Sequence, residues 1–100
     1  PQKGVYATVA KVDGKTYPAM TNIGTRPTVS NAEQTTIETH ILNFDGQLYG
    51  KVLKIQFLKK VRDEIKFTTR EELENQLYQD SLVVSAYIDN IKKGKEIKFI

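Results

Sequence analysis

The sequence predicts a small, mainly β domain with α+β order, in which antiparallel strands come first and one helix comes last. Three observations support this prediction: apolar residues alternate along the first half of the chain, Asp-Gly pairs interrupt that alternation, and apolar residues recur at helical spacing in the last third. Four or more antiparallel strands of this length can close into a small barrel with the helix lying against it. We therefore predict one domain over residues 1–100.

The first two strands form a predicted hairpin. Apolar residues alternate over residues 5–10 and again over 17–23. The Asp13-Gly14 pair between them readily adopts the positive φ angles of a two-residue turn. Pro27 cannot donate a ladder hydrogen bond and Gly24 loosens the backbone. We therefore expect the second strand to leave the ladder at Gly24.

A third strand is predicted at about 35–44, after a small, polar surface loop at 29–34. Strand alternation places Ile37 and Ile41 on its core face. The opposite face carries Glu38, His40 and Leu42. The Asp45-Gly46 pair then predicts a turn into a fourth strand at 51–61, whose apolar face carries Leu53, Ile55 and Phe57.

A C-terminal helix is predicted at about 69–93. Thr69 and Glu72 fit a capping box, and Gly94 is a suitable terminator. The apolar stripe comprises Leu73, Leu77, Val84, Ile88 and Ile91, and it is widened by Leu82, Val83 and Tyr87. We expect this stripe to pack on the sheet.

The composition excludes several classes of site. Cysteine is absent and His40 is the only histidine among 100 residues, which excludes a disulfide scaffold, a thiol nucleophile and a thiolate or histidine-rich metal centre. No apolar run approaches the roughly 20 residues that cross a bilayer, and the first residues do not resemble a signal peptide. We expect a cytoplasmic protein without a membrane partner.

The net charge of +3 permits a second interpretation, a small basic β-barrel that binds single-stranded nucleic acid without catalysis. The basic excess lies in the second half of the chain, but acidic residues interrupt it and no continuous basic stripe results. Most aromatic rings also fall in apolar-patterned segments, which leaves few of them for stacking on bases. We therefore expect no nucleic-acid partner.

Three segments could carry chemistry, and each also has a plain structural interpretation. Glu38 on the third strand could act as a general base or be a solvated carboxylate. Residues 22–28 could present amides, hydroxyls and a guanidinium to an anion or form a stiff loop, and they lack the P-loop pattern. Residues 62–67 combine an aromatic ring with both charge signs, which suits either a flat polar ligand or a surface turn with internal ion pairs. Periodicity alone leaves these alternatives open.

Taken in order, five motifs resemble the riboflavin kinase module, which is usually the C-terminal half of bacterial bifunctional riboflavin kinase/FMN adenylyltransferase, also called FAD synthetase. The resemblance extends from Gly4 to about Asp80. The motifs are Gly4-Val5-Tyr6-Ala7, Asn22-Ile23-Gly24-Thr25-Arg26-Pro27-Thr28, Glu38-Thr39-His40, Leu48-Tyr49-Gly50, and the segment from Leu58 through Arg62-Asp63-Glu64 to Lys66-Phe67.

The resemblance implies an antiparallel β-barrel of about six strands with the helix outside. It also implies transfer of the γ-phosphoryl group of ATP to the 5′-hydroxyl of riboflavin, which gives FMN and uses Mg²⁺. Glu38 matches the family's catalytic glutamate. Positions near ATP are Ile41, Asn43 and Tyr49; flavin-contacting positions are Arg62, Ile65 and Phe67; and flap positions are Asn22, Gly24, Thr25, Arg26 and Thr28.

One family motif does not occur in this chain. The Pro-Thr-Ala-Asn motif holds Mg²⁺ and the phosphates in the family, so no metal ligand is assigned here. We expect the chain to belong to a longer kinase, preceded there by an adenylyltransferase domain, and to be weak or inactive alone. Barrel edges left open would allow self-association. The expected partners are otherwise the small molecules riboflavin and ATP.

Overall fold

A computed structural model of the protein describes residues 2–27, 29, 32–44 and 53–94, which form one antiparallel sheet and one helix. The strand order is β3-β2-β1-β4. The elements are β1 (Gly4–Val12), β2 (Lys15–Pro27), β3 (Glu33–Ile41), β4 (Leu53–Arg62) and α1 (Arg70–Gly94). This confirms the predicted mainly β fold with a C-terminal helix.

The hairpin between β1 and β2 is formed as predicted. Asp13 and Gly14 have φ angles of 51° and 81°, so both turn residues adopt the left-handed region that such a turn requires. β1 has a strand neighbour on both sides, and all its residues from Gly4 to Ala10 are buried. This hairpin is the centre of the sheet.

Strand β2 is longer than predicted. Its last four residues stay in the ladder with β3, from Gly24 opposite Thr36 to Pro27 opposite Glu33, so the prediction that the strand ends at Gly24 is wrong. β1 begins opposite Ile23, and the end of β2 therefore pairs on one side only. Proline is tolerated at such a strand end, because a backbone N–H that faces away from the ladder would make no ladder hydrogen bond.

Strand β3 is an outer strand of the sheet, and its bounds differ from the prediction. It begins within the predicted loop, at Glu33, and ends at Ile41. Leu42 instead donates its N–H to Pro18 O at 2.8 Å and packs against the core. Ile37 is 66% exposed, so its predicted place in the core is wrong. Alternation gives Ile37 a face of the strand, but the side chains in the described part of the chain leave it largely uncovered at that position.

Strand β4 pairs with the other side of β1 and confirms the predicted phase. Ile55 lies opposite Ala10 and Phe57 lies opposite Thr8, so these two side chains share a face of the sheet. Two register shifts interrupt the pairing before Arg62. The predicted Asp45-Gly46 turn and the Leu48-Tyr49-Gly50 motif lie outside the described residues.

The helix packs on the face of the sheet that carries Val5, Ala7 and Met20, against which Val84 and Ile88 are buried. Leu77 and Tyr87 are partly buried beside this cluster. Leu82 and Val83 are exposed, so the prediction that they widen the buried stripe is wrong. They lie on the side of α1 that faces away from the core.

The capping box at the start of α1 is confirmed. Glu72 donates its N–H to Thr69 Oγ1 at 3.1 Å, and Glu72 Oε1 accepts the N–H of Thr69 at 3.2 Å. Thr68 also donates its N–H and hydroxyl to Glu72 Oε1. No helix in the described residues is both long and apolar enough to cross a membrane.

Candidate functional site

The three segments singled out in the sequence meet at one corner of the sheet. The Thr25 N–H donates to Glu64 Oε2 at 2.9 Å, although the two residues are 39 positions apart. The next residue, Arg26, lies with Nη2 3.6 Å from Glu38 Oε1. The end of β2 therefore contacts both β3 and the segment that follows β4.

Glu38 is positioned by its pairing on β3. It lies opposite Asn22, which lies opposite Val5, which in turn lies opposite Arg62. Paired residues share a face, so Glu38 and Arg62 face the same side about 14 Å apart, the width of three strand spacings. The Glu38 side chain is 56% exposed and that of Arg26 is 67% exposed. Such an exposed ion pair contributes at most about 1 kcal/mol, so a ligand can replace it.

Arg62 is held in a buried ion pair, which limits its part in ligand binding. Its Nε and Nη2 atoms donate to the carboxylate of Asp80, with the shortest contact at 2.7 Å. Its Nη1 donates to Asp63 O at 3.1 Å. The guanidinium carbon lies 6.0 Å from the centroid of the Phe67 ring. The guanidinium thus anchors α1 to β4, and its contact with flavin stays a prediction.

Asp80 was not selected from the sequence, although it is the buried partner of Arg62. It is only 2% exposed, and it also accepts a hydrogen bond from Gln76 Nε2 at 3.1 Å. The available signal is its position between Leu77 and Val84, where helical spacing places it within the apolar stripe. A charge at such a position predicts a partner on the surface against which the helix packs.

The segment after β4 contains one internal ion pair of the kind that its structural interpretation predicts, and a second pair joins it to β4. Lys60 Nζ lies 2.6 Å from Asp63 Oδ1. This hydrogen bond raises the pKa of Lys60 and lowers the pKa of Asp63. Lys66 Nζ lies 4.0 Å from Glu64 Oε2. The charged side chains of these two pairs therefore have partners close by in the sequence.

The same segment also forms one wall of an open cavity of about 500 Å³. Ile65 and Phe67, two of the predicted flavin-contacting residues, provide its apolar surface. Lys66 and Thr68 line it beside them, and α1 contributes Glu72, Asn75, Gln76 and Gln79. The cavity therefore combines an aromatic wall with an amide-lined rim.

The predicted ATP-contacting residues are not gathered on one face with Glu38. Ile41 is half-buried and, at odd spacing from Glu38, lies on the opposite face of β3. Asn43 is exposed in the turn after β3, with a φ angle of 57°. Tyr49 and the flap residue Thr28 lie outside the described residues. Contact of these residues with ligands stays a prediction.

The described residues offer no evident metal centre. Among residues 2–27, 29, 32–44 and 53–94, no three His, Asp or Glu side chains are grouped so that they could hold a metal ion. Carboxylate and imidazole side chains in that part of the chain thus form no ready-made ligand set for a divalent cation.

Comparison with known proteins relates this chain to one enzyme family. The family model for riboflavin kinase (flavokinase) matches residues 1–88. The bifunctional riboflavin kinase/FMN adenylyltransferase of Bacillus subtilis is 37% identical over 95 residues, which are 93% of this chain and 30% of the relative. The enzyme of the same name from Escherichia coli K12 is 39% identical over 88 residues, 87% of this chain and 28% of the relative. The chain thus spans less than a third of these relatives.

A solved structure has a similar fold. It is described as a macrolide-efflux protein from Streptococcus pneumoniae, and it matches with a TM-score of 0.73 and 29% sequence identity. The match covers 85% of this chain and 28% of that one.

Proposed function

The chain belongs to the riboflavin kinase family, and on that basis we propose that it is the flavokinase domain of a longer enzyme. The proposed reaction transfers the γ-phosphoryl group of ATP to the 5′-hydroxyl of riboflavin and yields FMN and ADP. One observation carries the assignment to this corner: an accessible carboxylate, Glu38, shares the end of β2 with a segment that lines an aromatic-walled cavity. The FMN adenylyltransferase activity of the relatives is proposed only for the rest of that longer enzyme.

In this proposal Glu38 is the general base. The ribityl oxygen forms a bond to the γ-phosphorus while the bond from that phosphorus to the oxygen of ADP breaks, and Glu38 takes the proton of the hydroxyl. Phosphoryl transfer depends mainly on positioning and on neutralisation of phosphate charge. A positioned base contributes about 10²–10⁴-fold to such a rate. Arg26 holds the carboxylate, and its guanidinium is suited to phosphate oxygens as well.

The cavity beside this corner suits a flat, partly polar ring. Ile65 and Phe67 provide an apolar wall against which an isoalloxazine ring would lose its contact with water. Asn75 and Gln79 place amide groups at the rim, and no hydrogen bond occupies either side chain among the described residues. Carbonyl and imide groups of a flavin are chemically complementary to such amides.

ATP and a divalent cation complete the proposed reaction. Bound Mg²⁺ supplies neutralisation of the phosphate charge in reactions of this class. Among the described residues, no three His, Asp or Glu side chains are grouped so that they could hold this ion. Ile41, Asn43 and Tyr49 remain the proposed positions near ATP.

A single-strand-binding function has less support. Such binding needs exposed aromatic rings along a basic groove. Tyr6 packs edge-to-face against Phe57 with ring centroids 5.2 Å apart, and Tyr17 packs in the same way against Phe44 at 5.0 Å. Rings that pack against each other do not form a continuous surface on which bases could stack.

The decisive experiment is a riboflavin titration, followed by flavin fluorescence, with and without Mg-ATP. It compares this chain with a version extended at its N-terminus toward the length of its relatives, each as wild type and as Glu38→Gln. We expect the Gln variant to keep its flavin affinity and to lose about 100-fold or more in turnover. Glu33→Gln, also an exposed carboxylate on β3, is the matched control and should behave as wild type. Absence of flavin binding in both versions would refute the function, and equal turnover in Glu38→Gln would remove Glu38 from its role.

A further inference from the structure

The carboxylate of Glu64 joins two segments that are distant in the sequence. Its Oε2 atom accepts the Thr25 N–H at 2.9 Å and the Thr25 hydroxyl at 3.4 Å. Lys66 Nζ lies 3.0 Å from Thr25 Oγ1 and 4.0 Å from the same carboxylate oxygen. The Glu64 side chain is only 23% exposed, although it carries a charge. Three polar groups therefore converge around one sheltered oxygen atom.

The position of this oxygen is explained by the end of β1. Because β1 begins opposite Ile23, the next residues of β2 have no strand neighbour on that side. An unpaired backbone N–H that is withdrawn from water is costly, and the Glu64 carboxylate satisfies the one at Thr25. The Glu64 carboxylate thus accepts the hydrogen bond that a neighbouring strand would otherwise accept.

Gly24 provides the room for this contact. A Cβ atom at position 24 would lie 2.8 Å from Glu64 Oε2, closer than such atoms approach each other. An alanine at position 24 would therefore force the Glu64 carboxylate to shift from its present place beside the Thr25 N–H. The glycine and the glutamate act as one structural unit, although they come from different motifs.

Both neighbours of this contact belong to the proposed site. Arg26, next to Thr25, pairs with Glu38, and Ile65, next to Glu64, lines the cavity. We infer that Glu64 is a positioning residue that fixes the Ile65–Phe67 wall relative to the end of β2, and so sets the affinity for the flavin. This inference rests on the proposed function for its ligand, whereas the contact itself does not.

The test compares riboflavin affinity in Glu64→Ala, Glu64→Gln and Asp63→Ala. Loss of a hydrogen bond to a charged acceptor should weaken binding about tenfold or more in Glu64→Ala. Glu64→Gln retains an oxygen acceptor for the Thr25 N–H and should stay within about threefold of wild type. Asp63→Ala removes the adjacent carboxylate, which is 88% exposed and pairs with Lys60 instead of β2, so it should bind as wild type.

A second measurement, amide hydrogen exchange, separates positioning from general stability. Glu64→Ala should accelerate exchange at Thr25 and leave the central amide of Val9 unchanged, since β1 is paired on both sides. Gly24→Ala should accelerate exchange at Thr25 less than Glu64→Ala does, because it shifts the carboxylate instead of removing it. The double variant should be no worse than Glu64→Ala alone, because both substitutions act on the same contact.

The inference is wrong if Glu64→Ala binds riboflavin as wild type, if Asp63→Ala loses as much affinity, or if exchange accelerates equally at Thr25 and Val9. A wild-type chain that binds no riboflavin in either length would refute the proposed function instead. In that case the exchange at Thr25 still decides whether Glu64 holds the end of β2.

Discussion

Arg62 at the end of β4 and Asp80 in the middle of α1 form a two-point ion pair in the interior of the protein. Arg62 Nη2 lies 2.7 Å from Asp80 Oδ2 and Nε lies 2.9 Å from Oδ1, while the Asp80 side chain is only 3% exposed. A charge withdrawn from water to this extent requires a close partner. The pair therefore fixes the position of the helix along the sheet.

We predict that Arg62→Met destabilises the protein by about 3–5 kcal/mol, because it leaves the Asp80 carboxylate buried without a counter-charge. The double variant Arg62→Met/Asp80→Met should recover most of this loss, since it removes both charges. Urea unfolding of the wild type and the two variants provides the comparison. A single variant that loses under 1 kcal/mol would contradict the burial described for this pair.

Three threonine hydroxyls form a hydrogen-bonded row across β1, β2 and β3. Thr21 Oγ1 lies 3.1 Å from Thr8 Oγ1 and 2.9 Å from Thr39 Oγ1, and both Thr8 and Thr21 are fully buried. Thr21→Val should cost about 1–3 kcal/mol, because it leaves the buried Thr8 hydroxyl without a partner. Thr8→Val/Thr21→Val should regain part of that cost.

Thermal or urea unfolding measures these threonine variants, with Thr35→Val as the control. Thr35 is exposed near the start of β3, so its substitution should change stability by no more than about 0.5 kcal/mol. If Thr21→Val and Thr35→Val changed the free energy of unfolding equally, the hydroxyl row would make no net contribution to stability.

The stability supplied by Glu72 should depend on pH. Hydrogen bonds donated by Thr68 and Thr69 lower the pKa of Glu72 in the folded protein from its ordinary 4.5. The folded protein thus binds this proton less tightly than the unfolded chain does. The stabilisation is fully present above the unfolded pKa and is lost as the pH falls through the folded pKa.

Unfolding of the wild type and of Glu72→Gln at pH 7 and at pH 3 tests this prediction. The wild type should exceed the variant in stability at pH 7, and this difference should narrow at pH 3. Glu74→Gln changes an exposed carboxylate of the same helix and serves as the control. A difference between wild type and Glu72→Gln that stays constant across this range would refute the assignment.

Local signals were sufficient for much of the fold. The Asp13-Gly14 turn, the Thr69–Glu72 capping box and the buried positions Val84 and Ile88 each depend on residues close together in the sequence. The end of β2 depends instead on its pairing with β3, which continues from Gly24 to Pro27. The alternation of apolar residues likewise assigns Ile37 to one face of β3, but it does not show whether another element covers that face. Such errors come from pairings between distant segments, which periodicity does not specify.

The same distinction applies to the candidate site. The sequence selected Glu38, Arg26 and Phe67 as residue types suited to the chemistry, but their spacing did not place them at one corner. Asp80 and Glu64 were not selected as partners, because each acts through a contact with a residue on another element. The one local signal for these two partners was a charged residue within the apolar stripe of the helix, and it identifies Asp80 but not Glu64.

The outer position of β3 also affects how the protein would respond to heat. Among the described strands, β3 is hydrogen-bonded to β2 alone, whereas the helix packs on β1, β2 and β4. The proposed base is therefore carried by the strand with the fewest attachments. Warming should release this strand while the central hairpin and the helix are still folded, so that inactivation begins below the melting temperature of the domain.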